Sequence, residues 1–221
     1  MERPFEDRTE AGQYLARLLK NYADRDDVCV LGLPRGGIPV AYQVSCSLHA
    51  PLDVFVVRKL GAPYQPELAM GAIAAGDTVV RNDDVVSSLG ITDDEIERVA
   101  QKERQELLRR EKTYRGDRGA VSVKGKIAIL IDDGLATGAS MRVAVQALKQ
   151  HQPAKIIVAV PVASPDACGY FEDIVDDVVC GITPQPLFAI GYWYRNFDQT
   201  TDEQVQDLLR KAEQRCITRT R

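Results

Sequence analysis

The chain has 221 residues, 45% hydrophobic and 27% charged, a balance close to the globular average that excludes collagen-like, low-complexity and largely disordered classes. Its formal net charge, 28 − 32 = −4, argues against a general binder of nucleic acid or anionic membrane, whose footprint is basic. No apolar run approaches the ~18–20 residues of a spanning helix, and MERPFEDRTE has no apolar core, so neither a membrane span nor a secretory signal is expected. The cysteines, Cys29, Cys46, Cys168, Cys180 and Cys216, are odd in number and form no C-x-x-C pair; they read as reduced thiols of a cytoplasmic protein.

In chain order the pattern alternates strands with helices. Leu15, Leu18, Leu19 and Tyr22 recur at helical spacing and predict a helix over residues 9–22. VCVLGL, Val28–Leu33, is a short continuous apolar run and predicts a strand buried on both faces. PRGG is a loop, IPVAYQVSCSLH a helix, and DVFVVRK a second buried strand ending at Arg58 and Lys59. GAPYQPELAMGAIAAGDTVV, with its prolines and glycines, reads as a loop leading into a short hairpin. Residues 92–118 form the most helical stretch: Thr92 and Glu95 make a capping box, acids crowd the start and arginines the end. That helix is either a solvated surface element or, since it sits between two core strands in the sequence, a cover or partner-docking helix. KIAILIDD, Lys126–Asp133, is the third buried strand, followed by the loop GLATGAS and the helix MRVAVQALKQ. KIIVAVPVA is the fourth; Ser164 and Pro165 then mark a helix start, DDVVCGITP a short strand, LFAIGYWYRNF an aromatic segment and TDEQVQDLLRKAEQRC a last helix capped by Thr201 and Gln204. Together these predict an α/β fold, a mainly parallel twisted sheet with helices on both faces.

The strongest chemical signal is AILIDDGLATGASM. It places Asp132 and Asp133 at the carboxyl end of a buried strand, where open α/β sheets bind ligands. The N–H groups of Ala136, Thr137, Gly138, Ala139 and Ser140 can converge on a phosphate, with help from two hydroxyls and a helix N-terminus. Carboxylates do not bind phosphate; they suit sugar hydroxyls, or Mg2+ through water. The combination fits a phosphorylated ribose. No lysine follows the glycines as a Walker loop requires, and Pro34 stands where LGLPRGG would need the second glycine of a dinucleotide fingerprint.

AILIDDGLATGAS resembles the PRPP-binding signature of the type I phosphoribosyltransferases, departing from it at Gly134, where most members carry an aliphatic residue or serine. FEDRTEAG, GLPRGGIPVA, VRKLGAPYQPELAMGAIA and IGYWYRNFDQTTDEQV extend the resemblance, to a little-characterised branch of that family, over nearly the whole chain. The resemblance implies a single domain over 1–221, with a lid or helical insertion at 60–118 and a small hood at 182–200. It implies transfer of a phosphoribosyl group from PRPP to a small-molecule nitrogenous acceptor, a nucleobase, with Mg2+ assisting pyrophosphate release. Asp132 and Asp133 then hold the ribose hydroxyls and, indirectly, the metal; residues 136–140 hold the 5′-phosphate; Arg35, Gly36, Gly37, Arg58 and Lys59 face the pyrophosphate. It further implies a cytoplasmic homodimer with no nucleic-acid or membrane partner.

Some roles stay open. Glu67 either acts on the acceptor or is a loop carboxylate. Tyr192, Trp193, Tyr194 and Phe197 either stack a base or pack the last helix on the sheet. His49 and His151 fall at predicted helix ends, where a surface or dipole role suffices. A competing reading keeps the same motif in a non-catalytic PRPP sensor.

Overall fold

The computed structural model describes residues 4–74 and 78–219, the side chains of 216–219 excepted. Five strands run parallel in the order β2 (Leu52–Val54), β1 (Val28–Gly32), β6 (Ile127–Ile131), β7 (Lys155–Val162) and β8 (Asp177–Ile182). All five residues of β1 and all five of β6 are buried, as central parallel strands covered on both faces must be. Val28 and Val30 join Ile127, Ile129 and Ile131 under α1 (Arg8–Leu18), α2 (Gly37–Leu48) and α7 (Asp202–Arg219). Cys29 and Leu31 join Ala128 and Leu130 under α5 (Ala139–Gln150) and α6 (Pro165–Glu172). No helix among the described residues is long and apolar enough to cross a membrane.

The second predicted strand is a correction. DVFVVRK is two strands in two sheets. β2 stops at Val54, the Phe55 N–H donates to the Gly32 carbonyl at 3.0 Å, and the chain restarts as β3 (Val57–Ala62) in an antiparallel sheet with β4 (Gln65–Ala74) and β5 (Thr78–Arg81). Arg58 and Lys59 therefore ride on the antiparallel sheet, not at the end of a parallel strand. A short helix, α3 (Asp83–Leu89), follows, capped by Asn82 and closed by Gly90 in the left-handed conformation. The capping box of Thr92 and Glu95 opens α4 (Asp93–Arg115), whose Ile96, Ala100, Leu107 and Tyr114 are buried with Leu60, Met70 and Ile73 of the small sheet. The helix is thus a cover packed by a narrow apolar stripe, with its charge on the outer face.

The cysteine expectation is corrected in part. Cys168 of α6 and Cys180 of β8 form a disulfide, while Cys29 and Cys46 are free; the Cys216 side chain lies outside the described residues. The histidines stand at helix ends as expected, His49 closing α2 and His151 closing α5.

One buried ion network ties the insertion to the parallel sheet. Asp53 accepts the N–H groups of Val54 (2.8 Å) and Val121 (2.9 Å) and the Nε of Arg115 (2.9 Å). Arg115 also reaches the Val54 carbonyl at 2.7 Å and the Glu111 carboxylate at 2.5 Å. The Arg115 and Asp53 side chains are 10% and 6% exposed, so removing one strands the other without water. Arg115→Ala should cost about 3–5 kcal/mol, read as a fall in the urea midpoint; a loss below about 1 kcal/mol, the worth of an exposed pair, would show that the network holds nothing.

Candidate functional site

β1 and β6 pair in register from Val28↔Ile127 to Gly32↔Ile131, so they end level and the loops leaving them meet. The Leu33 N–H donates to the Ile131 carbonyl at 2.8 Å. A Cβ on Gly37 would lie 2.7 Å from that same carbonyl oxygen and 2.9 Å from Asp132 Cα, and one on Gly36 would overlap the Asp133 carboxylate. The PRGG loop therefore touches the acid pair directly, and only glycine allows the approach.

Asp132 Oδ1 accepts the Asp133 N–H at 2.9 Å. Asp133 Oδ2 accepts the Nε–H of Arg8 at 2.8 Å and is ion-paired with its Nη2, also at 2.8 Å. Arg8 sits in the first turn of α1; its Nη1 donates to the Asp198 carbonyl at 2.8 Å, and its guanidinium lies 4.0 Å from the centre of the Phe197 ring. Burial raises Asp132 well above the ordinary carboxylate range, and the neighbouring Asp133 charge adds to the shift. Burial also raises Asp133, opposed by the Arg8 charge and its hydrogen bond.

The loop after the acids is held from behind. Leu135 bonds Val162 and Ser164 through its backbone (2.9 Å each), Ser164 Oγ donates to the Ala136 carbonyl at 2.9 Å, and Arg142 Nη2 to the Thr137 carbonyl at 2.7 Å. Gly138 takes φ +72° against the Phe171 ring and begins α5 with no side-chain cap. The first N–H groups of α5 are thus left for an anion, the sign that the helix dipole favours. A cavity of about 190 Å3 lies there, lined by Asp132, residues 134–141 and Ile190. It is below the roughly 300–1,000 Å3 of a drug-sized pocket and suits a small anionic group. Ile190 also accounts for Gly134: a Cβ there would come within 2.6 Å of Ile190 Cδ1, so Ile190 fills the space of the side chain the loop lacks.

Not every candidate gathers here. Arg35 Nη1 is 3.7 Å from Asp202 at the start of α7. Arg58 is paired with Glu103 of α4 at 2.6 Å, and Lys59 with the Glu67 carbonyl at 3.1 Å; neither they nor Glu67 line the cavity. The aromatics separate. Tyr194 is buried, stacked on Phe197 at 4.9 Å, and its hydroxyl donates to the Asp133 carbonyl at 2.6 Å. Burial, with the Asp133 charge second, raises its pKa. Trp193 packs beside Phe5, and Tyr192 is 75% exposed. Sequence reasoning assigned nothing to Arg8, Arg142 or Ile190; the signals were an arginine directly after a helix cap, one a turn into α5, and an apolar residue opposite Gly134.

Among the described residues no three His, Cys, Asp or Glu side chains gather as a metal cage. Two carboxylates fit a hard divalent ion only if it takes its remaining oxygens from water and from a phosphorylated ligand, the habit of Mg2+.

Residues 8–193 match the family model described as the phosphoribosyl transferase domain. Two Mycobacterium tuberculosis proteins, each named "Putative phosphoribosyl transferase", are 46% identical over 208 residues, 94% of this chain and 47% of theirs. The chain thus spans about half the length of the curated relatives it matches. A crystal structure of a Thermus thermophilus protein superposes with TM-score 0.85 at 40% identity, covering 95% of this chain and 99% of that one. A hypothetical protein from Neisseria gonorrhoeae, solved with bound ppGpp, shares the fold at TM-score 0.51 and 14% identity, over 96% of this chain and 98% of its own.

The raised Asp132 carboxyl gives a prediction with a definite sign. A carboxyl that ionises later in the folded than in the unfolded chain opposes folding above its unfolded pKa, about 4, and the penalty disappears below that pH. Asp132→Asn keeps an oxygen for the Asp133 N–H and should raise the melting temperature at pH 7, by about 2–4 °C for each kcal/mol released. The two melting curves should converge as the pH falls to about 4. A variant less stable than wild type at pH 7 would contradict the assigned shift.

Proposed function

Since the chain belongs to the phosphoribosyl transferase domain family, we propose that it transfers the phosphoribosyl group of PRPP to a nitrogenous acceptor, a nucleobase, with release of pyrophosphate. The observation that carries this is the contact of three elements at one strand end: an uncapped anion loop, an acid pair and the PRGG loop. In this reading the N–H groups and hydroxyls of residues 136–140 hold the 5′-phosphate. Asp132 and Asp133 hold the ribose hydroxyls. The PRGG loop of Arg35, Gly36 and Gly37 receives the pyrophosphate, with the Gly37 N–H itself bonded to the Leu33 carbonyl at 3.0 Å.

Displacement at the anomeric carbon passes through an oxocarbenium-like centre, so the protein needs no covalent nucleophile. Its work is to orient the ribose, keep water away and stabilise charge on the departing group. Mg2+, held by Asp132 and Asp133 through water and by the ligand's phosphates, would supply further neutralisation of that charge. Arg58 and Lys59 contribute if they exchange Glu103 and Glu67 for phosphate oxygens when PRPP is bound. Tyr192, the exposed aromatic of the hood, is the surface left for a base. The family resemblance extends the reading to a cytoplasmic homodimer.

A second reading, a PRPP-binding regulator without turnover, is favoured by one observation: Arg58 and Lys59 are both already paired with glutamates outside the cavity. Pyrophosphate release from PRPP with Mg2+, screened against nucleobases and small amines, separates the two. Turnover is expected with at least one acceptor. Asp132→Asn with Asp133→Asn should weaken PRPP binding more than tenfold, and Arg58→Ala with Lys59→Ala should lower turnover far more than affinity, because leaving-group charge grows in the transition state. PRPP binding with no pyrophosphate from any acceptor would replace the transferase by the regulator. Light scattering of the same preparation tests the dimer: a mass of 24.4 kDa would exclude it.

A further inference from the structure

We propose that Arg8 is a positioning residue for the sugar contact of Asp133, which makes the amino-terminal segment part of the ligand site; this rests on the reading of the acid pair as the ribose-binding element. Nε and Nη2 both converge on Oδ2 of Asp133, each at 2.8 Å. Neither contact uses Oδ1, so the fork spends one oxygen to fix the carboxylate and leaves the other to a hydroxyl. A free Asp side chain would have to be ordered when the sugar arrives, and part of the binding energy would go into that ordering.

The guanidinium is itself held on every side. Its third nitrogen bonds the Asp198 carbonyl at 2.8 Å, its face covers Phe197 at 4.0 Å, and Tyr194 lies 5.9 Å away with its hydroxyl on the Asp133 carbonyl. The Arg8 and Asp133 side chains are 12% and 17% exposed, which removes most solvent screening from the pair. Arg8 Nε would be 3.3 Å from a Cβ at Gly36, so the same group backs the PRGG loop. Electrostatics point the same way. Two adjacent carboxylates repel each other, and a fixed cation against Asp133 lets both stand at the sugar. Lysine is a poor substitute, since a single ammonium cannot both fork onto the carboxylate and stack on the ring.

The role is separable from the docking of the segment. Phe5 is buried; its N–H donates to the Trp193 carbonyl, its carbonyl accepts from Arg195, and the Glu6 carbonyl accepts from Asn196, at 2.8, 2.8 and 2.9 Å. None of these bonds uses the Arg8 side chain.

Calorimetry on the full chain tests the proposal with two probes: ribose 5-phosphate with Mg2+, which needs the acids, and inorganic phosphate, which needs only the loop. Wild type should prefer the sugar phosphate. Arg8→Gln should weaken ribose 5-phosphate at least tenfold and change inorganic phosphate less than twofold, with Arg8→Lys falling between. Asp133→Asn should show the same selective loss, and adding Arg8→Gln to it should cost less than a further twofold, because the effect runs through Asp133. Circular dichroism monitors folding. If Arg8→Gln does not fold, Phe197→Leu, which removes only the stacking face, should show the selective loss in milder form. Equal loss for both probes, additivity with Asp133→Asn, or no loss in a wild type that prefers the sugar phosphate would each overturn the role of Arg8 alone. A wild type that binds both probes equally would overturn the sugar-binding reading and this proposal together.

Discussion

Two parallel strands that end level, with glycine wherever the PRGG loop meets the acid pair, set the geometry of everything at the site. β1 sends its chain outward through α2 to β2, and β6 sends its chain the other way through α5 to β7. The loops therefore diverge at a switch in strand order, where open α/β sheets form their crevice. The register that holds the ends level is not made at the site. A slip of one residue would move Val28 and Val30 to the α5 face and Cys29 and Leu31 to the α2 face, and five buried residues on each strand resist that. Core packing thus fixes the separation of the PRGG loop from the acid pair, and Gly37, pressed on the backbone of β6, has no slack to give.

The same corner is electrostatically expensive. An acidic chain places two carboxylates side by side next to the small-residue loop that opens α5, and burial raises both. Arg8 and the uncapped start of α5 are the counterweights. Neither belongs to the strand that carries the acids; one arrives from the beginning of the chain and the other from the backbone itself. A site that destabilises the fold it stands on is common where ligand binding repays the strain.

Much of this was legible in the residues because the signals were local. Continuous apolar runs gave β1, β6 and β7; Ser164 with Pro165 gave α6, and Thr92 with Glu95 gave α4. The acids and the small-residue loop announced their chemistry by adjacency alone. What escaped notice depends on partners distant in sequence. DVFVVRK reads as one strand because a row of valines cannot say where its hydrogen-bonding partner changes, and the change falls at Phe55. Arg8 meets Asp133 across 125 residues, and nothing in FEDRTEAG singles that arginine out. The Cys168–Cys180 pair has no spacing that distinguishes it from two core thiols. α3 is short, and its signals, Asn82 and Gly90, lie inside a segment that reads as hairpin and loop.

Asp53 is bonded to residues on both sides of the insertion: Val54, where the chain leaves β2, and Arg115 and Val121, where it comes back. Entrance and exit are thus stapled at one carboxylate, and the sixty-odd residues between them form a cassette with a closed base. A chain segment anchored in this way adds little closure entropy as it lengthens, since each doubling costs only about 0.6 kcal/mol. Its contents can therefore diverge, by trimming the hairpin or exchanging the helices, while the parallel sheet and its crevice stay as they are. In recombination terms, the natural crossover points of this fold are the residues flanking Asp53 and Val121, and a chimera joined there inherits one module's antiparallel sheet and α4 and the other's acid pair and small-residue loop.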